Sequence, residues 1–134
     1  MPLQILTCAK APCKTCPYRR DVPSGVWAAE EYAKLPDYDG DAIDQLNADA
    51  VGLFDCHQRD GNLCAGWLAA HGPENLLALR IAGPRVPHEV WFYKSPVPVF
   101  ASGAEAAAHG MAKIDNPDPK ACRAIDRLTR KLDL

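Results

Sequence analysis

Apolar positions along this chain come in short bursts separated by prolines and glycines, and the period of each burst predicts its structure. From Ser24 to about Leu35, the residues Val26, Trp27, Ala29, Ala33 and Leu35 support a helix, with Ser24 placed to cap it. Pro36-Asp37-Tyr38-Asp39-Gly40 then breaks the chain with turn chemistry. Asp41 to about Ala50 is acidic and weakly patterned, compatible with one short helix. Val51 to Cys56 reads as a short strand or extended arm, and Asp60-Gly61-Asn62 as a tight turn.

Leu63 to about Ala70 predicts a helix stopped by Gly72. Pro73 to about Ala82 predicts another, with proline suited to the first turn. Its Leu76, Leu77, Leu79, Arg80 and Ile81 are expected to be largely buried. Pro84, Pro87, Pro96 and Pro98 bracket a β-like run, Val90-Trp91-Phe92-Tyr93. Ser102-Gly103-Ala104-Glu105 is a capping box that opens an alanine-rich helix running to about Ile114. After the break at Asn116-Pro117-Asp118-Pro119, Lys120 to Leu132 predicts a final helix with Cys122, Ile125, Leu128 and Leu132 on one face. The sum is an α+β, predominantly helical fold in a single domain over residues 1–134, with no internal repeat and no long linker.

Composition narrows the functional classes. Apolar residues make up 48% of the chain and charged residues 24%, which argues for a folded core. A net charge of −2 gives no reason to expect a general binder of nucleic acid or membrane surfaces. Met1-Pro2-Leu3-Gln4-Ile5-Leu6 lacks the basic start of a signal peptide, and no apolar run approaches a membrane span. These features predict a cytoplasmic protein. In a reducing compartment its six cysteines read as metal ligands, redox groups or core residues rather than disulfides.

Four of those cysteines form a pattern. Cys13-Lys14-Thr15-Cys16 is a C-x-x-C knuckle, which places two thiolates within reach of one ion with backbone amides available to the sulfurs. Cys56 and Cys64 are separated by seven residues around a Gly-Asn turn, so that pair can fold back and close a tetrahedron. Structural zinc takes four such ligands with no open position. The 39 residues between the two pairs exceed the spacing of a simple zinc ribbon, and the helix expected after Ser24 fits between them. The expected site is therefore Cys13, Cys16, Cys56 and Cys64 around Zn²⁺, stapling the domain. An iron–sulfur cluster uses the same thiolates, and Cys16-Pro17 and the Cys8-x4-Cys13-x2-Cys16 spacing echo ferredoxin ligand runs. The sequence leaves zinc and cluster both open.

His57, beside Cys56, is either a ligand replacing a cysteine or a group outside the ligand shell. Neighbouring residues of an extended segment point to opposite sides, which favours Cys56 as the ligand. Lys14, Arg19, Arg20 and Arg59 lie around the knuckles and are placed to offset thiolate charge. A dithiol oxidoreductase ranks below metal binding, because prolines flank the C-x-x-C and no helix clearly begins at Cys16. Cys8 and Cys122 are expected to be plain, Cys122 on the apolar face of the last helix. Trp27, Trp67 and Trp91 read as core. His71 reads as a helix-end residue and His109 as an exposed helix residue. The basic stripe of Lys120, Arg123, Arg127, Arg130 and Lys131 reads as a solvated face. No phosphate loop, H-E-x-x-H or nucleophile elbow is present.

Pro12-Cys13-x-x-Cys16-Pro17-Tyr18-Arg19, then Phe54-x-Cys56-His57-Gln58, Cys64-Ala65-Gly66-Trp67, His71-Gly72 and Asn75 together resemble a small family of unassigned function encoded by actinobacteria and their phages. The likeness extends through Ser102 to Gly110. It implies that Cys13, Cys16, Cys56, His57 and Cys64 form the family's signature, and it brings no reaction with it. The functional expectation is a binding or regulatory module stapled by metal, engaging a host or cellular protein. The alternatives are an iron–sulfur protein with a redox or sensing role and a dithiol oxidoreductase.

Overall fold

The computed structural model describes residues 7–8, 10–54 and 62–131. It is a small, helix-rich α+β domain in which a two-stranded parallel sheet brings the entry segment beside the second half of the chain. Strand β1 (Thr7–Cys8) pairs with β2 (Asn62–Leu63), in the register Thr7 to Asn62 and Cys8 to Leu63. The pairing matters for position: it sets the residues leading to Cys13 against those leading to Cys64.

Between the strands lie α1 (Ala29–Ala33), a 3-10 turn at Leu35–Tyr38 and α2 (Ala42–Asn47). After β2 come α3 (Ala65–His71), a 3-10 turn at Pro73–Asn75 and α4 (Leu77–Ala82). The chain ends with α5 (His88–Trp91), α6 (Gly103–Met111) and α7 (Pro119–Lys131). No helix among the described residues is long and apolar enough to cross a membrane.

Local chemistry accounts for several boundaries. Asp41 and Asp44 form a reciprocal capping box that starts α2. Gly72, at φ 80°, ends α3 in a conformation that a side chain would resist. The Ser102 hydroxyl accepts the Glu105 amide at 3.1 Å and opens α6. The other half of that box is replaced, because the Glu105 carboxylate lies 3.8 Å from Arg20.

Three expectations are corrected. Ser24 does not cap a helix. Its hydroxyl donates to the Gly110 carbonyl and accepts the Lys113 amide, tying the chain to the end of α6, and the helix begins only at Ala29. Val90-Trp91-Phe92-Tyr93 is not a strand. Pro87 sets an N-terminal cap conformation and His88–Trp91 closes into α5, which clasps β1 through a 3.0 Å bond from Thr7 to Glu89. Phe92 is left 70% exposed. The leucine-rich helix begins at Leu77 because Leu76 is extended, so Ala78, Leu79 and Ala82 face inward and Ile81 is 58% exposed.

The main core gathers Tyr18, Tyr32, Leu35, Phe54, Leu63, Trp67, Leu68, Leu76, Leu79 and Val90. Trp27 and Trp91 pack against it, half-buried. The small face of α6 explains its alanine content. Ala106 and Ala107 are buried, and a Cβ at Gly103 or Gly110 would run into the Leu35 carbonyl or the Tyr32 ring. A satellite core of Val22, Val26, Ala121 and Leu128, flanked by Ala124 and Ile125, holds α7. Cys122 lies off that face and is exposed, one helical step beyond the arc that Ala121 and Leu128 define.

Candidate metal centre

The knuckle is built by a turn, with the Cys16 amide donating to the Cys13 carbonyl at 2.9 Å and the Arg19 amide to the Cys16 carbonyl at 3.1 Å. Two further contacts brace its carbonyls. The Trp27 indole donates to the Thr15 carbonyl at 2.7 Å, and the Arg19 guanidinium to the Pro12 carbonyl at 3.1 Å. Backbone amides reach the sulfurs in the i+2 pattern of a metal knuckle: the Thr15 amide bonds to Cys13 and the Tyr18 amide to Cys16. The Thr15 hydroxyl lies 3.9 Å from the Cys13 sulfur.

Cys64 arrives from β2 as the residue that opens α3. Its amide donates to the Phe54 carbonyl at 2.8 Å, and its sulfur stands 3.8 Å from that of Cys16. This is far beyond a disulfide of about 2.05 Å. It equals the edge of a tetrahedron whose centre-to-sulfur bonds are about 2.3 Å, roughly 3.8 Å. Cys16 and Cys64 are 0% and 3% exposed, and Cys13 is half-buried beside Cys16. Gly66 makes the approach possible, because a Cβ there would overlap the Cys16 sulfur and press on Tyr18.

Burial and mutual proximity hold these thiols in their protonated form as long as no cation is bound. The Cys13 thiol is pushed well up by its neighbour Cys16 and by burial. For Cys16 the contact with Cys64 and burial raise the pKa more than the bond shared with Cys13 lowers it. A bound cation would reverse both effects, since it stabilises thiolates. Cys8 sits across the strand pair from Leu63 and is also held up by burial. Among the described residues, no three His, Cys, Asp or Glu side chains cluster tightly enough to hold an ion by themselves. What the described residues supply is the Cys16–Cys64 pair with Cys13 adjoining it. Cys56, His57 and Arg59 lie outside the described residues.

The cationic residues are more committed than their sequence positions suggest. Arg19 forms a two-pronged pair with Asp21 at 2.7 and 2.8 Å. Arg20 donates to the Val99 carbonyl and lies 5.0 Å over the Phe100 ring. The Arg19↔Val99 bridge, with the Phe100 amide donating to the Tyr18 carbonyl at 2.9 Å, pins the outgoing arm of the knuckle to the segment before α6.

Sequence reasoning missed the polar groups behind the knuckle. Tyr18 is fully buried, and its hydroxyl lies 2.9 Å from His71 Nε2. His71 does end a helix, but its side chain is only 3% exposed, and its Nδ1 is 3.3 Å from Asp39. Asp39, read as a turn residue, accepts the Gly103 and Ala104 amides at 2.7 and 2.9 Å and so caps α6. His109 is half-buried with Nε2 2.6 Å from the Val22 carbonyl. The one sequence signal for the buried group was that Tyr18 and His71 both fall within the quoted motifs.

Fold and site together define a small helical α+β domain organised around a buried cysteine pair. The chain belongs to the family of unknown function DUF6283, whose model matches residues 8–124, from β1 into α7. No curated protein and no solved structure matches the chain.

Proposed function

We propose that the protein is a metal-stapled binding module in which Cys13, Cys16, Cys56 and Cys64 hold one structural Zn²⁺. The observation that carries this reading is the 3.8 Å separation of the buried Cys16 and Cys64 sulfurs, joined by two knuckle amides aimed at sulfur. Thiolates on one ion share a tetrahedral edge of about this length. Thiolates of a cubane iron–sulfur cluster each bind a different iron and stand farther apart, so the spacing disfavours a cubane. A two-iron cluster, with two thiolates on each iron, shares this spacing and is distinguished from zinc by the metal analysis below. The residues after Cys16 run on as turns rather than a helix, which supports metal binding over dithiol exchange. Four-thiolate coordination leaves no open position on the ion, and metal binding energy becomes folding energy. On this reading the metal closes the gap between the strand pair and the knuckle. The module then presents the outer helices to a host or cellular protein, consistent with the motif likeness to actinobacterial and phage proteins.

Metal analysis and absorbance of protein purified with and without oxygen test the proposal. One equivalent of zinc in a colourless protein is the expected result. A brown protein with a broad band near 400 nm and bound iron would replace zinc by a cluster at the same cysteines.

A further inference from the structure

Behind the cysteine pair runs a buried chain of polar contacts that the staple itself does not require. It starts at the Cys16 sulfur, which accepts the Tyr18 amide. It continues through the Tyr18 hydroxyl to His71 Nε2 at 2.9 Å, and the far side of the imidazole places Nδ1 3.3 Å from the Asp39 carboxylate. It ends where Asp39 takes the first two amides of α6. Protonation gives the chain its direction. Burial lowers His71 to about 4 against a pull from Asp39. The imidazole is therefore neutral and its Nε2 free to accept. Tyr18 donates to Nε2, which leaves the Nδ1 proton on the side of the Asp39 carboxylate, itself accepting two amides. Every member has a partner, the condition under which a buried polar network confers rigidity.

The geometry also couples ring and sulfur. The Tyr18 side chain is held edge-on against His71 at 5.3 Å and against Phe54 at 6.1 Å, and its Cβ lies beside the Gly66 position that touches Cys16. A displacement of the ring moves the Tyr18 amide, and with it the bond that orients the Cys16 sulfur.

We infer that Tyr18, His71 and Asp39 are positioning residues of the cysteine centre, making metal retention depend on a hydrogen bond at His71 that touches no sulfur. This inference rests on the metal reading above. Groups that orient ligands from outside the coordination shell typically govern about 10–100-fold in metal affinity. Tyr18→Phe removes one hydroxyl and keeps the ring. His71→Gln offers an amide that can still accept near the Nε2 position, and His71→Ala offers nothing.

The experiment is a competition of the zinc-loaded protein and its variants against a chelator, with the Co²⁺-substituted forms read by their charge-transfer and d–d bands. Tyr18→Phe and His71→Ala should each weaken retention about 10–100-fold and shift the cobalt bands. Their double variant should lose little more than either single one, because both break the same chain. His71→Gln should recover part of the loss, while Leu79→Ala, a core truncation elsewhere, should lower stability and leave the bands in place. Unchanged affinity and bands in Tyr18→Phe and His71→Ala, or losses that multiply in the double variant, would overturn the inference while leaving the metal reading standing. A wild-type protein that takes up no metal would overturn both.

Discussion

Gly66 lies directly against the sulfur of Cys16, so close that a Cβ at Gly66 would overlap Sγ and come within 2.9 Å of the Tyr18 Cβ. One helix thus brings its backbone, rather than a side chain, to the floor of the cysteine site. Cys64 precedes that helix, and its sulfur meets Cys16 at 3.8 Å. Two points at the start of α3, its N-cap Cys64 and Gly66 within it, therefore locate Cys16.

This relationship sets the sign of a substitution that propensity would misjudge. Gly→Ala inside a helix ordinarily gains about 0.5–1 kcal/mol. Forcing a methyl group into a packed site costs about 1–3 kcal/mol, and neither neighbour here is the free end of a flexible chain. Gly66→Ala should therefore be destabilising by about 1–2 kcal/mol and should loosen metal retention. Denaturant unfolding of the variant beside wild type measures the first effect; a gain in stability would mean the contact relaxes at no cost.

His71 predicts a pH dependence whose sign is determined by its burial. The unfolded chain protonates this imidazole near 6.5, whereas the folded protein withholds the proton until about 4. Between those values the unfolded state binds more protons, so stability rises with pH. The contribution is fully present above 6.5, fades as pH falls through the window and is gone below about 4. Its size is at most roughly 3 kcal/mol. The difference in unfolding free energy between wild type and His71→Gln, followed from pH 7.5 to 4.5, should shrink as the pH drops. A difference that is flat or grows toward acid would contradict the assignment of a neutral, buried imidazole.

The parts of this fold that were legible in the sequence are those decided within a few residues. The Ser102 cap, the Gly72 stop and the helix after the Asn116–Pro119 break all follow from local hydrogen bonding or backbone freedom. Residues 90–93 were misread because aromatic and β-branched content describes a half-buried surface, not a partner strand, and Pro87 offers a helix entry instead. Ile81 was misplaced by one extended residue, Leu76, which rotates the inward face of α4. The knuckle and its spacing to Cys64 could be read as candidate ligands. The Tyr18–His71–Asp39 chain could not, because its members are 53 and 32 residues apart in sequence and only the packed α3, 3-10 turn and α6 bring them together.

His57 provides a separate check on which residues bind. It adjoins Cys56, and both lie outside the described residues, so the expectation comes from chain geometry alone. If the segment is extended there, the two side chains project to opposite sides and only one faces the ion. His57→Ala should purify folded and metal-loaded, losing at most about 10–100-fold in affinity. Near-zero metal in His57→Ala with normal loading in Cys56→Ser would establish a ligand set of three cysteines and a histidine.

The most direct test of the account is the metal content of the purified wild type measured beside its six Cys→Ser variants. Wild type should carry one equivalent of zinc. Cys13→Ser, Cys16→Ser, Cys56→Ser and Cys64→Ser should each lose most of it and unfold more readily, because the metal contributes to folding itself. Cys8→Ser and Cys122→Ser should load as wild type does. Wild-type protein without bound metal, or loss of metal in Cys8→Ser with retention in Cys64→Ser, would contradict the centre as assigned.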